Sequence, residues 1–423
     1  MLQVNQIKEN LEQYIAALAK RNFPSKDLFE EVINLDSKRR QTQTQLDEKL
    51  AESNTLSKEI GQLFKSGETN KANILKEKTT QLKAQTSALS ETLSETQKAL
   101  NELLYTIPNI PHNLVPTGTN EEDNEEVFSS GTIPELSKDA LPHWELAQKY
   151  DIIDFELGVK LTGAGFPVYK EKGAKLQRAL INYFLDKNTD AGYKEVQVPH
   201  LVNADSGFGT GQLPDKEGQM YHVGGDDLYL IPTAEVPITN MFRNSLLKAS
   251  DLPLTYTGYT PSFRREAGSY GAHVRGLNRL HQFDKVEIVR IEKQEDSYAV
   301  LDQMVDHIKN ILEELKLPYR ILKLCGGDLG FTSALTYDFE IYSTAQKRWL
   351  EISSVSNFET FQSNRLKLRY KDTDGKKKLA HTLNGSSLAL PRVLAGILEN
   401  YQTDEGIQIP EVLVPYCGFD RID

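Results

Sequence analysis

The sequence predicts an α+β chain: an N-terminal antiparallel coiled-coil arm of two long helices, then a domain on a mainly antiparallel β-sheet flanked by helices. Three observations predict it. From about Phe29 to Leu104 there is no proline, and leucines recur at heptad spacing. Residues 106–143 switch to prolines and acids, and from His143 onward short β-favouring runs are interrupted by amphipathic helical stretches.

The 423 residues exceed one typical domain, so two are expected, an arm over 1–106 and a second domain over 107–423. There is no apolar run long enough to span a membrane, and MLQVNQIKENLEQ has acids and no apolar signal core, so the expected location is cytoplasmic. Cys325 and Cys417 are too few and too far apart for a disulfide framework or a zinc knuckle. The net charge of −11 argues against indiscriminate nucleic-acid binding and against DNA as a partner. It is unevenly placed: residues 1–105 hold 15 Lys and Arg against 15 Asp and Glu, so the excess lies beyond them. An RNA partner meeting a local basic patch stays open.

The arm is a hairpin over about 29–104 with its turn near 65–70, where Lys65-Ser66-Gly67-Glu68-Thr69-Asn70 supplies small polar residues. Leu75, Leu82, Leu89, Leu93, Leu100 and Leu104 mark the seam of the second helix. The first helix is weaker, with Leu46, Leu50, Ile60 and Phe64 in the seam and Ser53 and Ser57 between them. Two helices of roughly 35 residues would project about 50 Å. Near the turn Lys58, Lys65, Lys71, Lys76, Lys78 and Lys83 outnumber Glu59, Glu68 and Glu77. Such an arm is either a solvated strut or a reader of RNA shape through phosphate contacts.

Prolines at 108, 111, 116, 134 and 142, around the run Glu121-Glu122-Asp123-Asn124-Glu125-Glu126, read as a linker and domain entry. Lys172–Asn188 is a helix with Leu176, Leu180, Tyr183 and Phe184 on one face, and 193–199 is a strand stopped by Pro199. A helix is expected near Asp296–Leu315, with strands over Tyr337–Ile341 and Trp349–Ser353. Leu390, Val393, Leu394, Ile397, Leu398 and Tyr401 form the stripe of a last helix, with Pro391 in its first turn and Ser386 or Ser387 as a possible cap. Arg392 lies off that stripe at the helix N-terminus, where the helix dipole disfavours a cation, which points to an anion as its partner.

The stretch from Tyr256 to Ile291 is the centre of the second domain. Thr255, Tyr256, Tyr259 and Phe263 favour a strand, Gly268, Gly271 and Gly276 break it, and Phe283, Val286, Ile288, Val289 and Ile291 resume it. Arg264, Arg265, Arg275 and Arg279 stand beside Glu266, His273, His281 and Glu287. A solvated loop with surface ion pairs and a charged functional site both account for this hairpin by itself.

A strand ending in FRRE with its loop and returning strand resembles motif 2 of class II aminoacyl-tRNA synthetases, and the strand and helix around Arg392 resemble motif 3. Residues 172–199 resemble motif 1, which in that class forms a dimer interface. IPNIPH (107–112), HWELAQKYDIIDFE (143–156), GTGQLP (209–214), PTAEVP (232–237), NRLHQFDKVE (278–287), EISSVSN (351–357) and HTLNGSSLALPR (381–392) are similar to the seryl-tRNA synthetases of the bacterial type over essentially the full length. The chain departs from that pattern at Ser387, where glycine is common, and at Phe358-Glu359-Thr360-Phe361-Gln362-Ser363-Asn364-Arg365, where a cysteine and a second basic residue are usual.

The resemblance implies a class II catalytic domain that activates L-serine with ATP and transfers it to the 3'-terminal adenosine of tRNA(Ser), with tRNA(Sec) a further candidate. It implies a homodimer whose arm reaches across to grip tRNA, with Lys65, Lys71, Lys76 and Lys78 as the tRNA contacts. It assigns catalysis to Arg264, Glu351 and Arg392, and Mg2+ bound with ATP to Glu351 and Ser354. ATP falls to Arg264, Arg265, Glu266, Leu280, Phe283, Glu351, Ile352, Ser353, Ser354 and Arg392, and serine to Thr233, Ala234, Glu235, Arg264, Glu287, Asn384 and Ser386. Arg275 and the loop 267–275 are implied to act on phosphate or the tRNA end. No zinc is expected, because neither cysteine has suitable neighbours, which sets the chain apart from a threonyl enzyme. The alternatives are another class II synthetase, threonyl or prolyl, a synthetase-like protein that activates an amino acid without charging tRNA, and an RNA-binding coiled-coil protein with an inert globular half.

Overall fold

A computed structural model describes residues 1–215, 218–266 and 274–423, which fall into two compact units. The loop residues 267–273, and with them Gly268, Gly271 and His273, lie outside the described residues. No helix among the described residues is long and apolar enough to cross a membrane.

The first unit comprises Met1–Ala19 and Phe23–Pro108. Its two long helices, α1 (Lys26–Lys65) and α2 (Thr69–Leu104), are joined by a turn at Ser66–Glu68 with Gly67 at φ +79°. The α2 seam runs 72, 75, 79, 82, 86, 89, 93, 96 and 100 in alternating steps of three and four, then reaches 104, with Ala72, Thr79, Leu82, Thr96, Leu100 and Leu104 buried. The threonines fit because their hydroxyls bond back along their own helix: Thr79 donates to the Leu75 carbonyl at 2.8 Å and Thr96 to Thr92 at 2.7 Å. Each leaves its methyl for the seam.

The α1 seam differs from the expected one. Leu50 and Phe64 are exposed, and Thr42, Leu46 and Leu56 are buried instead, with Ser53, Ile60 and Leu63 half-buried along the same line. The two heptad frames share positions 46, 53 and 60, and the frame that turns Leu56 and Leu63 inward leaves Leu50, Ser57 and Phe64 outside. At the base of α1, Asp36 is 1% exposed and pairs with Lys8 at 2.7 Å, Arg39 at 2.8 Å and Arg40 at 2.8 Å. Burial alone would raise this carboxyl, but the hydrogen bonds of Lys8 and Arg39 pull it down to about 2.

The second unit holds Lys20–Asn22 and Asn109–Asp423. Its main sheet has eight strands: β1 (Glu125–Ser130), β2 (Lys194–Glu195), β3 (Leu254–Phe263), β4 (Gln282–Glu292), β5 (Tyr319–Lys323), β6 (Leu335–Ser343), β7 (Arg348–Asn357) and β8 (His381–Ala389). Their order is β1-β5-β6-β7-β8-β4-β3-β2, antiparallel except for the β2–β3 pair. Helices α3 (Glu171–Asp190), α4 (Ser297–Glu314) and α5 (Leu390–Asn400) contribute to the core that covers one face, where Leu176, Leu180, Met304, Ile308, Val393 and Leu394 pack on Val286, Ile288, Phe339, Ile341 and Val355.

Two expectations change. The acidic run was expected to be linker, yet Glu125–Ser130 is the edge strand of the sheet. Its acids face cations on β5: Glu125 pairs with Lys323 at 2.7 Å and Glu126 with Arg320 at 3.4 Å. The second concerns Ser386 and Ser387, which lie within β8 and do not cap α5. The N-cap position belongs to Ala389 and makes no side-chain cap bond.

Candidate active site

The site lies on the face of β4, β7 and β8 opposite the apolar core. Strand alternation makes it so: Val286 and Ile288 point into the core, while Lys285 and Glu287 point the other way, and Phe283 packs at the edge of the core. β3 and β4 pair Phe263 with Gln282, so Arg264, one residue past the strand, stands near Phe283 with its guanidinium 5.3 Å from the ring centroid. Arg264 Nε also donates to the Pro232 carbonyl at 3.3 Å.

A buried carboxylate pocket occupies the middle of this face. Glu287 is fully buried, with Oε2 2.6 Å from Lys285 Nζ and accepting from Thr233 Oγ1 at 3.2 Å, while Oε1 accepts from Asn384 Nδ2 at 3.0 Å. Glu287 and Ser386 are register partners across β4 and β8. Ala234 is buried against Val289, and Glu235 opens a six-residue helix. Glu235, 6% exposed, accepts from Gln362 Nε2 at 2.6 Å, and Gln362 is itself oriented by Thr382 Oγ1 at 2.7 Å. Burial pushes the Glu235 carboxyl up to about 7, Gln362 and Lys285 opposing and the Glu287 carboxylate adding to the rise. Burial raises Glu287 as well, with Lys285 acting against it. Two adjacent acids, one buried ammonium and an amide can bind a small cation bearing a hydroxyl. The Glu287, Thr233, Glu235 and Asn384 set is thus brought together as expected, whereas Lys285 and Gln362 were missed. Strand alternation from Glu287 could have found Lys285; no sequence signal joins Gln362 to Glu235 across 127 positions.

The second part of the site is cationic. Arg392, at the start of α5, donates through Nε to the Asn278 carbonyl at 3.0 Å and through Nη1 to the Glu351 carbonyl at 2.7 Å. Its Nη1 is 3.6 Å from Glu351 Oε2. Glu351 and Ser354 are three residues apart, which in a regular strand would place them on opposite faces. The β6–β7 register pairs Phe339 with Ser353 and Glu340 with Glu351, leaving Ile352 as the extra residue of a bulge. The bulge brings Glu351 and Ser354 to one face while Ile352 and Val355 enter the core. Opposite Ser354 stands Asp338, whose Oδ1 is buried with no hydrogen-bond partner. Burial first and the Glu351 carboxylate second raise its carboxyl well above the usual range, while the Ser354 hydroxyl lowers it.

Other candidates sit differently. Glu266 is held in an ion pair with Arg279 at 2.8 Å. Arg265 turns outward, over the Tyr221 ring at 5.4 Å, and Arg275 lies over Trp144 at 5.0 Å. Leu280 and Ile352 have their side chains in the core. Ser353 Oγ donates to the Ser386 carbonyl at 2.6 Å, which ties β7 to β8. Ser387 is buried, its Oγ donating to Asn188 Oδ1 at 2.8 Å; Asn188 Nδ2 in turn donates to Thr257 Oγ1 at 2.9 Å. A hydroxyl in place of the usual glycine is therefore satisfied by α3. On the arm, Lys65 and Lys76 are exposed, Lys71 pairs with Glu68, and Lys78 spans to Glu52 on the other helix at 2.9 Å. Among the described residues, no group of three or more His, Cys, Asp and Glu could hold a metal ion.

Residues 220–401 match the family described as the tRNA synthetase class II core domain (G, H, P, S and T), and residues 1–111 match the seryl-tRNA synthetase N-terminal domain. The chain is 48% identical over 424 residues to the serine–tRNA ligase of Salinibacter ruber, covering 100% of this chain and 99% of that protein. It is 45% identical over 424 residues to that of Akkermansia muciniphila, with the same coverage. Among solved structures, seryl-tRNA synthetase from Pyrococcus horikoshii complexed with ATP superposes with a TM-score of 0.90 at 32% identity, covering 100% of this chain and 99% of that one. The cytoplasmic serine–tRNA ligase of Naegleria fowleri with AMP gives 0.86 at 27%, again covering 100% and 99%.

Proposed function

The chain belongs to the seryl-tRNA synthetase family, and from that membership we propose that it activates L-serine with ATP and passes the seryl group to the 3'-terminal adenosine of tRNA(Ser). The observation that carries the serine reading is the buried Glu287–Thr233–Asn384 cluster beside Glu235, which offers acceptors to an ammonium and a hydroxyl.

In the first step a serine carboxylate oxygen attacks the α-phosphorus of ATP, forming seryl-adenylate and releasing pyrophosphate. Two anions must meet, so the site must neutralise charge. Arg264 has a planar fork suited to the carboxylate and the α-phosphate, and its stacking on Phe283 fixes that fork. Phe283 also offers adenine a face, and Glu266 is assigned to the base with it. Arg392 holds the γ-phosphate, its plane set by the carbonyls of Asn278 and Glu351. No protein nucleophile is required, because positioning and charge stabilisation do the chemistry. In the second step a hydroxyl of the terminal ribose attacks the seryl carbonyl and AMP leaves.

The oxygen donors of Glu351 and Ser354, with the unpartnered Oδ1 of Asp338 beside them, fit Mg2+, which prefers hard ligands and retains phosphate and water in its shell. Glu351 and Ser354 would hold the ion, and bound there it supplies charge to the phosphates. Buried acceptors reject alanine because its bound form leaves them unpaired; threonine must be met by crowding.

We assign tRNA binding to the arm, through Lys65, Lys71, Lys76 and Lys78, and activation to residues 107–423. The family membership supports a cytoplasmic homodimer with the α3 region at its interface.

The Glu235 carboxyl gives a pH test. Its folded-state value of about 7 lies above the ordinary 4.5, so the folded protein holds the proton more tightly. The contribution of Glu235 to the stability of the unliganded protein is therefore fully present below about pH 4.5 and is lost as pH rises to about 7. Binding the serine ammonium favours the ionised carboxylate, so serine affinity should rise roughly tenfold between about pH 6 and about pH 8. Calorimetric titration with serine checks this, and Glu235→Gln should weaken binding and remove the inflection. An affinity that falls over this range would contradict the assignment.

A further inference from the structure

His143 opens the short helix His143–Lys149 and has no exposed surface, as has Glu399 near the end of α5. Their contact fixes the state of the imidazole. The Leu277 N–H donates to Nε2 at 2.8 Å, so Nε2 is an acceptor and the ring proton sits on Nδ1, 2.7 Å from Glu399 Oε1. Glu399 Oε1 also accepts from the His143 N–H at 3.0 Å and from Gln346 Nε2 at 2.8 Å, and Oε2 accepts from Ser343 Oγ. With four donors, this buried carboxylate is satisfied as an anion. Burial would raise it, but these donors, His143 foremost, hold it below its ordinary range.

The unused end of this cluster leads to the phosphate site. Gly276, at φ +69°, lies so close to the imidazole that a Cβ there would stand 2.3 Å from Nε2. Leu277 is held by the ring, and the Asn278 side chain donates to Gln346 Oε1 at 2.9 Å, the same glutamine that binds Glu399. Three consecutive residues are thus seated on the His143–Glu399 pair. The carbonyl of the third, Asn278, accepts from Arg392 Nε. An arginine pinned at Nε by Asn278 and at Nη1 by Glu351 has its plane fixed, while Nη2 donates to neither carbonyl.

We propose that the buried His143–Glu399 pair is a positioning element of ATP binding: it fixes Gly276–Asn278 so that the Asn278 carbonyl aims the Arg392 guanidinium at the terminal phosphate. The inference rests on the reading of Arg392 as a phosphate ligand. A pair that only filled the core could end on any backbone group. This one ends on the three residues that carry the arginine's acceptor.

Two substitutions separate the ends of the ring. His143→Asn places an amide donor where Nδ1 stood, keeping Glu399 satisfied, but loses the acceptor for Leu277. His143→Gln reaches Leu277 and loses the donor to Glu399. The full-length protein is titrated with ATP and Mg2+ by calorimetry, and separately with serine, in the wild-type and Arg392→Ala backgrounds, with the unfolding temperature measured alongside. H143N should weaken ATP roughly tenfold with serine affinity unchanged, and by less than about twofold once Arg392 is alanine. H143Q should lower the unfolding temperature and keep ATP affinity within about threefold. Gly276→Ala, which displaces the same segment from an intact ring, should reproduce the ATP-specific loss. The proposal is overturned if H143N binds ATP like the wild type, if its loss persists undiminished beside R392A, or if serine affinity falls with it. Should R392A leave ATP affinity unchanged, the phosphate role of Arg392 falls, and this inference with it.

Discussion

Arg392→Ala should reduce serine-dependent exchange of pyrophosphate into ATP by at least about a thousandfold, because it removes a charge-assisted fork from a partly buried phosphate site. The substitution also leaves the carbonyls of Asn278 and Glu351 without their donor, so part of the loss comes from the site's shape. Arg392→Lys separates these effects: it restores the charge but cannot reach two carbonyls and a phosphate at once, and it should recover only a small part of the rate. Exchange measured at saturating serine with varied ATP checks both variants. Wild-type exchange in R392A would remove Arg392 from the reaction.

Deleting residues 30–104 and closing the gap with a short linker should leave exchange within about twofold of the intact protein while lowering serylation of tRNA at least about a hundredfold. The reason lies in where the proposed substrate ligands are. Arg264, Glu287, Glu351 and Arg392 are all on or beside strands of the second unit, and the deleted helices contain none of them. The arm carries exposed lysines near its turn, whose contribution to an RNA complex weakens with salt. Raising ionic strength should therefore reduce charging of the intact protein more steeply than exchange. Equal loss of both activities on deletion would contradict the division of labour.

How far the sequence reveals this protein depends on the range of each interaction. The charged hairpin of 256–291 and the helix bearing Arg392 were legible because charges interrupt an otherwise apolar pattern, and the structure sets them on neighbouring strands and at the helix N-terminus. The α1 register was ambiguous, since two heptad frames share Leu46, Ser53 and Ile60, and only packing against α2 decides between Leu56 and Ser57. The edge strand at Glu125–Ser130 looked like a solvated acidic run because its partners, Lys323 and Arg320, lie about two hundred residues away. The meeting of Glu351 and Ser354 on one face depends on a bulge at Ile352, which a period of two cannot show. Gln362 was read as part of a departing stretch, and its bond to Glu235 belongs to tertiary structure alone.

The departures at 358–365 and at Ser387 now have a physical context. Phe358 and Phe361 are buried, Gln362 serves the carboxylate pocket, and Arg365 reaches the carbonyls of Phe208 and Leu213 at 3.2 and 3.1 Å. Ser387 gains a buried partner in Asn188, whose Oδ1 also accepts from His307 Nε2 across the core at 2.7 Å. The Gln362 and Ser387 side chains both keep their polar groups bonded.

The central claim is that the buried cluster of Glu287, Thr233, Glu235 and Asn384 selects serine. ATP–pyrophosphate exchange measured with each amino acid in turn, threonine and alanine included, tests it most directly. Serine should support exchange, with alanine lower by about four orders of magnitude because its methyl leaves buried acceptors unpaired, and with threonine well below serine. Exchange driven by another amino acid and not by serine would contradict it.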